Sequence, residues 1–130
     1  MEKTFDKAVF IDVQNQTISE VEVPREERLK ALYNQLDCTM VQRTTIDPDH
    51  DLIIDEEGLF KEDNPSFAMG GYLFVGNALI MGVNPEEGEW IDHDIDIERL
   101  KGAILFPNEE ETRKIFDKTQ DDQEDNIVVE

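Results

Sequence analysis

At 130 residues the chain has room for one hydrophobic core and not for two. Its apolar fraction of 38% is low, its charged fraction of 34% is high, and 32 acids against 12 bases give a formal charge of −20. That balance excludes a basic nucleic-acid-binding stripe and attraction to anionic membranes, and no apolar run is long enough to span a bilayer.

The first residues, Met1-Glu2-Lys3-Thr4, lack the basic-then-apolar pattern of a secretory signal, and Cys38 is the single cysteine. A cytoplasmic protein in reducing surroundings is the expectation. "KAVFIDVQNQTISEVEV" holds two β-rich runs, Ala8 to Val13 and Thr17 to Val23, around a polar Gln14-Asn15-Gln16 connection, which predicts a hairpin with Val9, Ile11 and Val13 on one face. "PREERLKALYNQLDC" then sets Leu29, Leu32, Tyr33 and Leu36 at helical spacing, with Pro24 in the first turn and Glu26 and Glu27 at the positive end. This predicts the main helix over about 24–37. Residues 39–46 alternate and are β-branched, and "DLIIDEEGLF" reads as a short strand running into a turn at Glu57-Gly58.

After Asn64-Pro65 comes an apolar run, Leu73 to Val83, broken by Gly76, Asn77 and Gly82 and closed by the turn residues Asn84, Pro85 and Gly88. A phosphate cradle needs glycines in a tight loop before a helix, usually with a lysine. No lysine or arginine occurs between Lys61 and Arg99. The run therefore reads as a core strand, or as a hairpin of "YLFV" and "ALIMG" turning at Gly76-Asn77, with the glycines marking a bend or a close backbone approach. Asp94 or Asp96 caps a brief helix containing Ile97, Leu100 and Lys101, and Ala103 to Phe106 forms a last strand. The fold class is thus α+β: a small mixed domain over 1–106 with a mainly antiparallel sheet, one main helix and a short C-terminal helix. Residues 107–130 form an acidic extension, partly helical or disordered, with a surface helix starting at Asn108.

Catalytic and metal signatures are missing. Asp47, Asp49 and Asp51 begin like a calcium-binding loop, but Leu52 stands where its glycine belongs and Gly58 where its bidentate glutamate belongs. Asp92, Asp94 and Asp96 fail in the same way at Ile97 and Ala103. His50 and His93 would have to meet in space to hold a transition metal. Ser19 and Ser66 lie in no nucleophile elbow, and the charge of Asp37 disfavours a Cys38 thiolate. No catalytic residue, cofactor or metal is expected.

The acid itself is uneven. Residues 1–46 carry eight acids against six bases, residues 47–101 fifteen against three, and residues 102–130 nine against three. The middle segment also carries a resemblance. "LIIDEEGLFKEDNPSF" followed by "GNALIMGVNPEEGEWIDHDIDIERLKGAILF" resembles a family of small domains of unknown function found in phages, plasmids and bacteria, over about residues 8–106. The resemblance implies a mixed α/β domain from a mobile element, such as a phage accessory protein acting on its host, and brings no activity with it.

Two functions follow as expectations. In the first, an acidic face of Asp55, Glu56, Glu57, Glu86, Glu87, Asp92, Asp94 and Asp96 imitates nucleic acid and antagonises a host nucleic-acid-binding or defence protein. A globule of this length is about 36 Å across, and a duplex of that length carries roughly 20 charges. In the second, a homo-oligomer sequesters a small nucleotide-like signal, using Arg25, Arg28 and Arg43 or backbone around Gly76, Asn77 and Gly82.

Overall fold

The structure, a computed structural model, describes residues 3–58 and 65–107. β1 (Phe5–Asp12) and β2 (Thr17–Pro24) form the expected hairpin, in register from Phe5 opposite Pro24 to Asp12 opposite Thr17. The Asp12 carboxylate closes the turn by accepting the N–H groups of Gln14 and Asn15, each at 3.1 Å.

α1 (Arg28–Leu36) starts later than its sequence pattern predicts. Pro24 is the last residue of β2, and the Arg25 N–H continues that ladder to the Thr4 carbonyl at 2.9 Å. Glu27 then turns the chain with a left-handed φ of 51°. Glu26 and Glu27 therefore precede the helix instead of occupying its first turn. The buried stripe is also narrower than predicted, with Leu32 and Leu36 inside and Leu29 exposed. Asp37, again left-handed, ends the helix.

β3 (Val41–Asp47) and β4 (His50–Asp55) form a second hairpin, and β7 (Ala78–Val83) lies between β4 and β1. The main sheet runs β2-β1-β7-β4-β3, with β8 (Trp90–Ile91) added beside β7; all its pairings are antiparallel. The apolar run of β7 has a physical reason, because its residues are buried on both faces from Ala78 to Gly82. On one face, Ala8, Ile53, Leu79 and Met81 pack with Leu32 and Leu36 of α1. On the other, Val9, Ile11, Leu52 and Ile80 pack with Phe67 and Ile104. The alternation along β1 thus serves two cores at once.

Phe67 and Ile104 belong to a small second sheet of β6 (Tyr72–Val75), β5 (Ser66–Met69) and β9 (Ile104–Leu105). "YLFV" and "ALIMG" are therefore not a hairpin. Gly76, at φ 89°, carries the chain from one sheet to the other, and β6 pairs back onto β5. The short helix α2 (Ile97–Lys101) is capped by the Asp96 carboxylate, which accepts the Arg99 N–H at 3.3 Å. Among the described residues no helix is long and apolar enough to cross a membrane. The expected helix from Asn108 and the extension beyond Pro107 lie outside the described residues.

β1 pairs with β2 along its whole length but with β7 only over Val9–Ile11. Past that point β8 takes the place beside β7, with Ile91 opposite Gly82, and the His93 N–H reaches the Lys7 carbonyl at 3.0 Å. Gly82 sits where these segments converge: a Cβ there would stand 2.3 Å from the Asp92 carbonyl oxygen. The expected close backbone approach is real, and its partner is protein.

Candidate partner-binding surface and arginine cleft

The strand parity that builds the α1-side core also turns three carboxylates inward, and two of them gather cations. Asp6, two residues before Ala8, and Asp51, two before Ile53, are buried at 0% and 2% exposure. A buried carboxylate requires charge partners and hydrogen bonds. Arg25 meets Asp6 through Nε at 3.0 Å and a terminal nitrogen at 3.1 Å, and Arg28 and Lys3 add further ion pairs. Burial opposes ionisation of Asp6, but the hydrogen bonds from Arg25 and Arg28 outweigh it and draw the carboxyl down to about 2.

Arg43 pairs with Asp51, donates to the Gly88 carbonyl at 3.0 Å and lies 5.1 Å from the centre of the Trp90 ring. The Trp90 indole N–H also donates to Asp51, at 3.0 Å. Arg28 reaches the Trp90 carbonyl, so Asp6 and Asp51 share one neighbourhood. Arg25, Arg28 and Arg43 consequently line a single cleft with Glu89 and Trp90, about 510 Å³ in volume. The other members of the predicted ligand set lie apart from it. The Asn77 side chain accepts the Val13 N–H at 2.9 Å, and the Gly76 N–H donates to the Pro65 carbonyl, both at the opposite end of β7. Gly82 is closed by Asp92. Sequence analysis missed Asp6 altogether; its parity with Ala8 on a strand is the signal that finds it.

The predicted acidic face is divided. Asp55 is buried at 6% and accepts the Glu57 N–H, so it presents no carboxylate to a partner. Burial in the β3–β4 hairpin, opposite Val41, removes it from the set. Glu56 and Glu57 are exposed at one end of β4, where the Glu56 N–H bonds the Met40 carbonyl. Glu86 and Glu87 are exposed at the other, in the turn after β7, where the Val83 N–H bonds the Asp49 carbonyl at 2.8 Å. None of these four glutamates belongs to an ion pair among the described residues. Asp92 is tied to Lys3 and accepts the Lys7 N–H at 2.7 Å. Asp94 and Asp96 are exposed, the first against His50 and the second as the α2 cap.

His50 bridges Asp47, at 2.9 Å, and Asp94, at 2.5 Å, with its two ring nitrogens. Burial disfavours its charge, yet the two carboxylates prevail and raise its pKa above 6.5. No group of three or more His, Cys, Asp or Glu side chains among the described residues is arranged to hold a metal.

No curated protein and no solved structure matches the chain. Residues 7–104 match the family model described as a domain of unknown function, DUF3846, a span that holds β2 to β8, both helices and the residues lining the arginine cleft. The chain belongs to the DUF3846 family.

Proposed function

We propose that this protein is a non-enzymatic binding module that antagonises a host nucleic-acid-binding protein, its exposed carboxylates standing in for phosphates. One observation carries the reading. The nearby cations are committed to Asp6 and Asp51, while Glu56, Glu57, Glu86 and Glu87 remain exposed and unpaired among the described residues. Such a surface attracts a basic partner at long range and repels nucleic acid. The mobile-element setting comes from the family resemblance. The test is native mass spectrometry of the protein recovered from bacterial host cells at low salt, followed by competition with duplex DNA. A single stoichiometric partner that DNA displaces and salt releases is expected; a partner indifferent to both would overturn the reading.

A second reading, an oligomer that sequesters a small nucleotide-like anion, is favoured by the convergence of Arg25, Arg28 and Arg43 beside Trp90 in a cleft of ligand size. Against it stand Glu89 in the same lining and the buried carboxylates that the arginines already serve. Calorimetry with nucleotides decides it: uptake that survives Arg25→Ala and Arg43→Ala removes this cleft from consideration.

A further inference from the structure

The main sheet has two edges, and they are built differently. β2 carries Glu20 and Glu22 along its length and Pro24 at its end, the devices that discourage pairing with another strand. β3, "VQRTTID", carries few of them, and among the described residues no strand pairs its outer side. Its one cation, Arg43, is turned onto Asp51 and the Gly88 carbonyl. What remains along the edge is Gln42, Thr44, Thr45 and Ile46, uncharged and mostly β-branched, with Ile46 and the adjacent Met40 exposed. The ladder to β4 is regular from Val41 to Thr45, and its single irregularity lies between Thr45 and Asp47. Since an antiparallel strand bonds its neighbour through alternate residues, every second residue in the regular part turns its N–H and C=O outward.

The ends of this edge are marked by charge. Glu56 and Glu57 flank its Val41 end through the Met40 carbonyl. Asp47 and Asp49 lie at its other end, with the Glu86-Glu87 turn close by. The seven residues of β3 separate the two clusters by about 20 Å at a rise of roughly 3.3 Å per residue.

We infer that the edge of β3, unpaired among the described residues, accepts an extended segment of the partner protein as an added strand, one carrying lysine or arginine at both ends. The inference rests on the acidic-partner reading and adds its docking mode: main-chain hydrogen bonds along β3 supply affinity, and the two acidic ends select the segment. A second copy of this chain is the wrong occupant. Antiparallel pairing of β3 with itself would set each acidic end against the other copy's, between molecules of charge −20.

The experiment uses the full chain and a synthetic peptide as long as β3, alternating threonine and valine, with paired lysines at each end. A matched peptide is N-methylated at alternate backbone amides, which keeps its charge and removes its ladder donors. Binding is read by fluorescence anisotropy and located by backbone-amide NMR. The expected result is perturbation concentrated on residues 41–47, with the N-methylated peptide bound at least about tenfold more weakly. Equal binding of both peptides, abolished by salt, overturns strand addition and leaves the acidic-partner reading standing. Failure of both peptides also overturns strand addition, while the DNA competition still decides the broader reading. Protection of β3 that rises with protein concentration, without peptide, assigns the edge to a second copy and overturns the inference as well.

Discussion

Asp6 and Asp51 differ from Glu56, Glu57, Glu86 and Glu87 in little chemistry and in everything about their surroundings. The aspartates are inside the α1 side of the sheet, held by Lys3, Arg25, Arg28 and Arg43; the glutamates are exposed and form no ion pair among the described residues. In a chain with 12 bases for 32 acids, four cations stand on the two carboxylates whose isolation would cost most. Exposed acids need no such partner, because water solvates them, and what they leave uncancelled is the field that a partner meets. One population holds the fold; the other is the surface on which the proposed function depends.

The largest test of this division is Asp6→Ala. It leaves Arg25 and Arg28 facing each other without their shared acceptor, and a loss of about 3 kcal/mol is expected by urea denaturation. Acid should reproduce part of that loss in the native chain. The Asp6 carboxyl titrates lower folded than its ordinary 3.8, so its stabilisation is complete above that value and disappears as pH falls towards about 2. An acid-unfolding curve for Asp6→Ala should therefore be shallower over this range; an identical slope would assign the acid sensitivity elsewhere.

Asp51→Asn should cost less, about 1–2 kcal/mol. The amide keeps an acceptor for the Trp90 indole, and Arg43, whose side chain is 47% exposed, can turn to water. His50 acts in the opposite direction on the pH scale and more weakly. Its raised pKa means that the clamp between Asp47 and Asp94 is complete below 6.5 and weakens as pH rises through the folded value. His50→Gln should therefore be destabilising at about pH 5 and nearly neutral at about pH 9, by less than about 1 kcal/mol. A difference that grows with pH would contradict this assignment.

The same division explains what could be read in the sequence. Both early strands, the α1 stripe at Leu32 and Leu36, the burial of β7 and the Asp96 cap follow from local periodicity and turn chemistry. β5 and β8 were missed although both pair with a neighbour in the chain: Gly70-Gly71 is a turn signal that joins β5 to β6, and β8, two residues long, is too short to show a period after its turn from β7. The false hairpin at Gly76-Asn77 arose because a turn signal states that the chain bends and not which sheet it bends into. Arg25, Arg28 and Arg43 were visible as the scarce cations, and their convergence is real; their partners were hidden by sequence separations of up to 62 residues, as between Arg28 and Trp90. Asp55 was misplaced because a carboxylate beside Glu56 and Glu57 looks solvated until β3 pairs over it.

The smallest expected effect on stability is also the one that separates the two populations most cleanly. Replacing Glu56, Glu57, Glu86 and Glu87 together by glutamine removes four exposed charges without altering shape. None forms an ion pair among the described residues, so no pair there is broken. Relief of self-repulsion in a chain of −20 favours the folded state if it acts at all. The denaturation midpoint should stay within about 0.5 kcal/mol of the native chain or rise, while partner capture at low salt falls at least about tenfold. Stability that drops by a kilocalorie or more, about the cost of a lost structural contact, would mean that these glutamates hold the fold as Asp6 does. Intact fold with lost binding is the signature of charges kept for a partner.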